Sequence, residues 1–262
     1  MRTVLTIAGS DSIAGAGVQA DLKTFAALGV YGVSAVTAVT AQNTSGVAGI
    51  FTLPSQIVQA QIDAVARDVQ ISAIKTGMLA NAGIIEAVSN SLARLQGIPV
   101  VVDPVLASGG AVRRTLLAPE AVSILKTRLV PLATVVTPNV AEAEALCDIR
   151  IDSIESARTA ARRIAELGAA AVVVKGGHLS GPHAVDVLFH AGTFTELEAP
   201  RMDLGPIHGT GCTFASAIAA GLALGDDIPA AAQRAKRYIT GAIEQSIAVG
   251  RGARILNHFW RL

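Results

Sequence analysis

Thr3-Val-Leu-Thr-Ile-Ala8 runs directly into Gly9-Ser10-Asp11, and a helical pattern over Val18–Leu28 follows at once. A short apolar strand, a polar turn and an amphipathic helix make the unit from which open parallel sheets are built. The unit recurs. Strands are expected at Val33–Thr40, Ala73–Thr76, Pro99–Val102, Thr134–Val136 and Ala171–Lys175, each an apolar run bounded by Gly, Pro, Asp or Asn. Helical patterns lie between them, over Ser55–Val69, Ala82–Leu95, Glu120–Leu129 and Ser153–Leu167. Asp152 with Glu155 has the spacing of a capping box for the last of these. A hairpin is expected over Ala184–His190 and Thr193–Glu198, turning at Ala191-Gly192, and then two helices near Thr213–Leu224 and Pro229–Val249. Asp227 and Pro229 stand where an N-cap and an early-turn proline belong. No repeat or linker interrupts the pattern, so residues 1–262 read as one doubly wound α/β domain. Its ligands are expected at the carboxyl ends of the strands.

Composition agrees with that reading. The chain has 262 residues, 51% of them apolar and only 3% aromatic. That is a supply of Val, Ile, Leu and Ala for parallel strands covered by helices. With a net charge of +1, scattered Lys and Arg and few rings for base stacking, nucleic acid is not an expected partner. No apolar run reaches a membrane span, and Met1–Ala8 is too short for the apolar region of a signal segment. Cys147 and Cys212 form no spaced motif, so a reduced, cytoplasmic setting is expected.

Polar segments follow the strands in turn: Gly9-Ser10-Asp11, Gln42-Asn43-Thr44, Lys75-Thr76-Gly77-Met78, Asp103-Pro104-Val105, Thr137-Pro138-Asn139 and Lys175-Gly176-Gly177-His178. One or two such ends are ordinary turn chemistry; six on one rim suggest a site. Gly15-Ala-Gly-Val-Gln-Ala20 fits the loose dinucleotide fingerprint, yet no Asp or Glu stands between Asp21 and Asp63 to bind a ribose. A nicotinamide cofactor is therefore rejected, and no Lys-Ser/Thr follows to make a Walker loop. His208-Gly209-Thr210-Gly211-Cys212-Thr213 precedes an Ala-rich helix, where backbone N–H groups and the helix dipole can hold an anion. Cys212 in that first turn is expected to favour its thiolate; a plain loop with a buried cysteine is the alternative. Asp103, with Asn139 and Glu142 at i and i+3, offers the oxygen ligands Mg²⁺ prefers, or else a simple helix cap. Lys175 before two glycines can approach a phosphate. Gln42 can pair with ring nitrogens and an exocyclic amine, and Met78 can pack on a ring face. His178, His183, His190 and His258 show no ligand spacing and read as surface or structural. Ser10 and Ser12 lack a nucleophile elbow, which disfavours a serine hydrolase.

Taken in order, these segments resemble the hydroxymethylpyrimidine/phosphomethylpyrimidine kinases of thiamine biosynthesis over nearly the whole chain. Gly250-Arg251-Gly252 and Leu256-Asn257-His258 resemble the family's ending. The resemblance implies a ribokinase-like three-layer α/β/α fold with a mostly parallel sheet. It also implies ATP with Mg²⁺ and two successive phosphorylations, the first at the hydroxymethyl group and the second at the monophosphate. It places Gly9, Asp21, Gln42, Met78 and Val105 around the pyrimidine and Asp103 and Glu142 at the metal. Asn139, Lys175 and Thr210 fall near the nucleotide phosphates, and Gly209, Gly211 and Cys212 form the anion hole with Cys212 as candidate base. It further implies a homodimer. The chain departs from the family at Ser12-Ile13-Ala14-Gly15 and over residues 106–115, expected to be a mobile flap with Arg113 or Arg114 near ATP. Pyridoxal kinase is the nearest alternative enzyme, and a non-catalytic pyrimidine- or pyridoxal-phosphate sensor is the alternative from another class.

Overall fold

Alternate residues of the central strands bury on opposite faces of one sheet. Leu5, Ile7, Val100, Val102, Val136, Val172 and Val174 join one apolar cluster. Val4, Val101, Val135, Ala171 and Val173 join the other. This is the period-two signature of strands covered on both sides. In a computed structural model of the chain, residues 1–106, 119–177 and 181–261 are described. The expected flap, with Arg113 and Arg114, and His178 lie outside the described residues, apart from Leu106.

The elements run β1 (Thr3–Asp11), α1 (Gly17–Ala27), β2 (Tyr31–Asn43), β3 (Gly46–Thr52), α2 (Ser55–Asp68), β4 (Ala73–Thr76), α3 (Ala82–Arg94), β5 (Val100–Val102), α4 (Pro119–Ile124), β6 (Val135–Val136), α5 (Val140–Cys147) and α6 (Ile154–Ala165). They continue with β7 (Ala171–Val174), β8 (His183–His190), β9 (Thr193–Pro200), β10 (Ile207–His208), α7 (Thr210–Leu224), α8 (Ile228–Glu244) and β11 (Arg254–Ile255). The main sheet has the order β3-β2-β1-β4-β5-β6-β7-β8-β9. The core from β2 through β7 is parallel, with β3 and the β8–β9 hairpin antiparallel at the edges. Helices α2 to α6 supply residues to the first cluster, and α1, α7 and α8 to the second, giving three layers. No helix among the described residues is long and apolar enough to cross a membrane.

The expected capping box shifts by one residue. Ser153, not Asp152, is the N-cap of α6, and its partner is Ser156 rather than Glu155. A serine hydroxyl can both accept from and donate to the turn, so the pair closes on itself. Asp227 caps α8 as expected, accepting from Ala230 N at 2.8 Å. The helix expected over 120–129 is α4 followed by a π-turn at Leu125–Leu129. The final helix stops at Glu244, because Ile247 leaves it to pair with Ile255.

Of the histidines read as surface or structural, His258 is structural. It is buried, with Nε2 3.1 Å from Thr213 Oγ1 in the first turn of α7. Burial, helped by the Lys23 charge, lowers its pKa to about 4. The folded pKa is below the unfolded one, so this stabilisation is present above about 6.5 and is lost as pH falls toward about 4. We expect on the order of 3 kcal/mol of stability to disappear over that window. Denaturant melts at stepped pH should show the decline, and His258→Asn should flatten it; an unchanged slope in the variant would assign the loss elsewhere.

Candidate active site

The rim at the carboxyl ends of β1, β2, β4, β5, β6 and β7 meets the N-terminus of α7. Gly209, the N-cap of α7, has φ +86, and a side chain there would collide with the Gly15 carbonyl. Only glycine sustains both the left-handed backbone and that approach. The first-turn amides of α7 lack helical partners and point outward, as an anion site requires. A Cβ on Gly211 would lie 3.1 Å from Lys175 Nζ and 3.7 Å from Asp103 Oδ2. The missing side chain thus lets a cation and a carboxylate sit against the helix end.

Lys175, just past β7, donates to Asp103 Oδ1 at 2.8 Å. Burial would lower the pKa of its ammonium, but the Asp103 and Glu142 carboxylates prevail and raise it, so it stays charged. Asn139 caps α5, accepting from Glu142 N at 3.0 Å, while Glu142 Oε2 accepts from Asn139 N at 2.8 Å. The simple-cap alternative is therefore realised, and it also aims Glu142 at Lys175. Burial, opposed by Lys175 and reinforced by Asp103, raises the Glu142 pKa. Thr210 and Val105 are both half-buried on the same rim.

On the other side, Met78 Cε lies 3.2 Å from where a Gly9 Cβ would be, so the thioether rests on β1. Gln42, near the end of β2, has its amide 2.6 Å from His208 Nε2. Sequence reasoning placed neither His208 nor Asp11 individually in the site. The signal was available: both lie in polar segments already singled out, but their contact joins opposite ends of the chain.

Two expectations change. Asp21 does not line an open pocket. It is fully buried, and its carboxylate takes Lys75 Nζ at 2.9 Å on both oxygens, Thr6 Oγ1 at 2.6 Å and Ser216 Oγ at 2.7 Å. Lys75 is equally buried, and its ammonium stays charged: burial opposes this, but Asp21 outweighs it and the pKa is raised. A lysine inside an apolar strand needs such a partner, and that was the signal missed. Nor is the Cys212 thiolate favoured. Burial pushes the thiol up to about 11, since the Lys75 ammonium is countered by Asp103 and Asp21. The helix end does not overcome burial among carboxylates.

Among the described residues no cluster of three or more His, Cys, Asp or Glu could hold a metal alone. Asp103 and Glu142, flanked by Lys175, instead fit a Mg²⁺ that arrives on phosphates and keeps part of its water.

A rim that joins an anion-binding helix end to a lysine–carboxylate pair, on a doubly wound sheet, defines a small-molecule kinase with a ribokinase-like fold. The phosphomethylpyrimidine kinase family model matches residues 11–257, and the chain belongs to that family. It is 48% identical to the hydroxymethylpyrimidine/phosphomethylpyrimidine kinase of Streptomyces coelicolor over 99% of this chain and 95% of the relative. It is 52% identical to the thiamine biosynthesis bifunctional protein ThiED of Geobacter sulfurreducens; there it covers 98% of itself but only 52% of that longer protein. The phosphomethylpyrimidine kinase structure from Clostridium difficile superposes with TM-score 0.82 at 42% identity, covering 93% of this chain and 100% of that one. The ADP complex of Bacillus subtilis pyridoxal kinase superposes with TM-score 0.91 at 38% identity, covering 98% and 97%.

Proposed function

We propose that this chain, acting as one catalytic domain, phosphorylates 4-amino-5-hydroxymethyl-2-methylpyrimidine with ATP and then phosphorylates the monophosphate to the diphosphate. The observation that carries the reading is the adjacency of two half-sites. Gln42, Gly9 and Met78 make a ring-binding side, and Gly209–Cys212 with Lys175 and Asp103 make a phosphoryl-binding side. The names of the relatives support the same choice of acceptor.

In the first step the acceptor hydroxyl attacks the γ-phosphorus, the bond to the β-phosphate oxygen breaks and ADP leaves. The hydroxyl proton goes to Cys212 Sγ in its thiolate form. Lys175 Nζ and the α7 amides stabilise charge on the transferred group, where positioning and electrostatics provide most of the rate. Asp103 and Glu142 would hold Mg²⁺, which neutralises phosphate charge when bound. In the second step the acceptor is a monophosphate already ionised near neutral pH, so no base is needed.

Glu142→Gln retains the capping acceptor for Asn139 N and removes a ligand charge. It should raise the Mg²⁺ needed for half-maximal rate roughly ten- to a hundredfold; an unchanged requirement would take Glu142 out of the metal site.

Pyridoxal phosphorylation is the second reading, favoured by the closer superposition on pyridoxal kinase. ADP release measured with each acceptor separates the two. Turnover with pyridoxal at a kcat/KM above that with the pyrimidine would reverse the order proposed here.

We also infer that the enzyme works in the cytoplasm as a homodimer. Val39 and Phe51 are cross-strand neighbours on β2 and β3, exposed by 48% and 67%, and a second copy would cover that apolar pair. Light scattering giving the monomer mass at working concentration would refute it.

A further inference from the structure

His208 makes two contacts with one nitrogen. Its Nε2 lies 3.2 Å from Asp11 Oδ2 and 2.6 Å from the Gln42 amide atom placed as Nε2, with Oε1 toward Thr40. Asp11 is ionised: burial would raise its pKa, but the His208 contact and the backbone N–H groups of Ala16 and Ile13 outweigh it. Its oxygens accept from Gly15 N at 2.9 Å, Ala16 N at 2.8 Å and Ile13 N at 3.1 Å. An ionised carboxylate can only accept, so Nε2 facing it must carry a proton. This holds for the neutral Nε2–H tautomer and for the imidazolium alike.

If Nε2 is a donor, the Gln42 atom beside it must be the amide oxygen. Amide oxygen and nitrogen are assigned by their hydrogen-bond partners, and the remaining partner agrees. Thr40 Oγ1, 3.4 Å from the other amide atom, gives its own proton to the Ser10 carbonyl at 3.0 Å and can accept from an NH₂. One amide N–H is then left for the ring side, while the oxygen keeps a second lone pair. Loop packing holds the arrangement: a Cβ on Gly15 would meet His208 Cδ2 at 2.8 Å.

We propose that Asp11 and His208 are positioning residues that lock the Gln42 amide in one orientation. In that orientation it offers a donor to a ring nitrogen and an acceptor to the adjacent exocyclic amine. The inference rests on the proposed acceptor and deepens it. The site reads a 4-aminopyrimidine edge and rejects the 4-oxo ring, whose N–H and C=O present the reverse pattern.

The direct test needs no substrate. Long-range ¹⁵N–¹H spectra of histidine-labelled enzyme should show the His208 Nε2 protonated; a bare Nε2 would overturn the proposal even if the kinase reading stands. Kinetics with the hydroxymethylpyrimidine and its 4-oxo analogue supply the second arm. His208→Met frees the amide to turn, so preference for the amino ring over the oxo ring should fall roughly ten- to a hundredfold. KM for ATP should stay unchanged. His208→Gln keeps a side-chain donor at the same reach and should restore most of the preference. If His208→Met lowers rates on both rings equally, or changes KM for ATP as much as KM for the pyrimidine, His208 is only structural and the proposal fails. If the wild type turns over neither ring, the acceptor reading has failed instead.

Discussion

Lys75→Met should destabilise the protein by about 3–5 kcal/mol, the range for breaking a buried ion pair from one side. The substitution fits the volume but leaves the Asp21 carboxylate fully buried with only Thr6 and Ser216 as donors. Asp21 then gains by taking up a proton, so the variant should recover stability as pH is lowered, unlike the parent. Lys75→Met with Asp21→Leu removes both charges and should regain much of the loss, because desolvation of the pair is also removed. Denaturant unfolding of the three proteins at neutral and acid pH checks this. A single-variant cost below about 1 kcal/mol would mean that water reaches the pair. Activity of the single variant reports on the site as well: the Lys75 charge opposes the rise of the Cys212 pKa, so its removal with Asp21 still in place should push that thiol higher still.

Cys212→Ala should separate the two phosphorylations. It keeps the α7 amides and deletes the thiol. Phosphorylation of the alcohol should fall by about 10²–10⁴-fold, the usual worth of a general base, while phosphorylation of the monophosphate should change only a few-fold. With the thiol at about 11, the thiolate is a minor species at neutral pH. The parent's rate on the alcohol should therefore climb with pH between about 7 and 9, and the rate on the monophosphate should not. The same pKa makes the thiol a poor target for iodoacetamide near neutrality, about tenfold slower than a cysteine at 9.0, because the smaller thiolate fraction outweighs the greater nucleophilicity of the more basic thiolate. Equal losses on both acceptors, with no pH slope, would make Cys212 a member of the anion hole and nothing more.

The parallel core was legible because each inner strand is an apolar run closed by a polar turn, as at Val100–Val102 before Asp103. β3 was not, since Gly46–Thr52 is glycine-containing, mostly part-exposed and never fully buried, and depends on pairing with β2. The β10–β11 pair is two residues on each strand and has no pattern to read. The rim segments were legible as residue types at strand ends. What they do to one another was less so. The Lys75–Asp21 bond spans 54 positions and the His208–Asp11 contact 197, and no local periodicity records either. Helix-end reasoning put the Cys212 thiolate forward because it counts the dipole, whereas burial beside Asp103 and Asp21 is visible only once the chain is folded.

The most direct test follows the phosphorus. The enzyme is incubated with ATP, Mg²⁺ and 4-amino-5-hydroxymethyl-2-methylpyrimidine, and the products are followed by ³¹P NMR. The account predicts a monophosphate that appears first and is converted to the diphosphate by the same enzyme, with two ADP released per pyrimidine consumed. Absence of any pyrimidine phosphate, or a monophosphate that accumulates without further conversion, would contradict it.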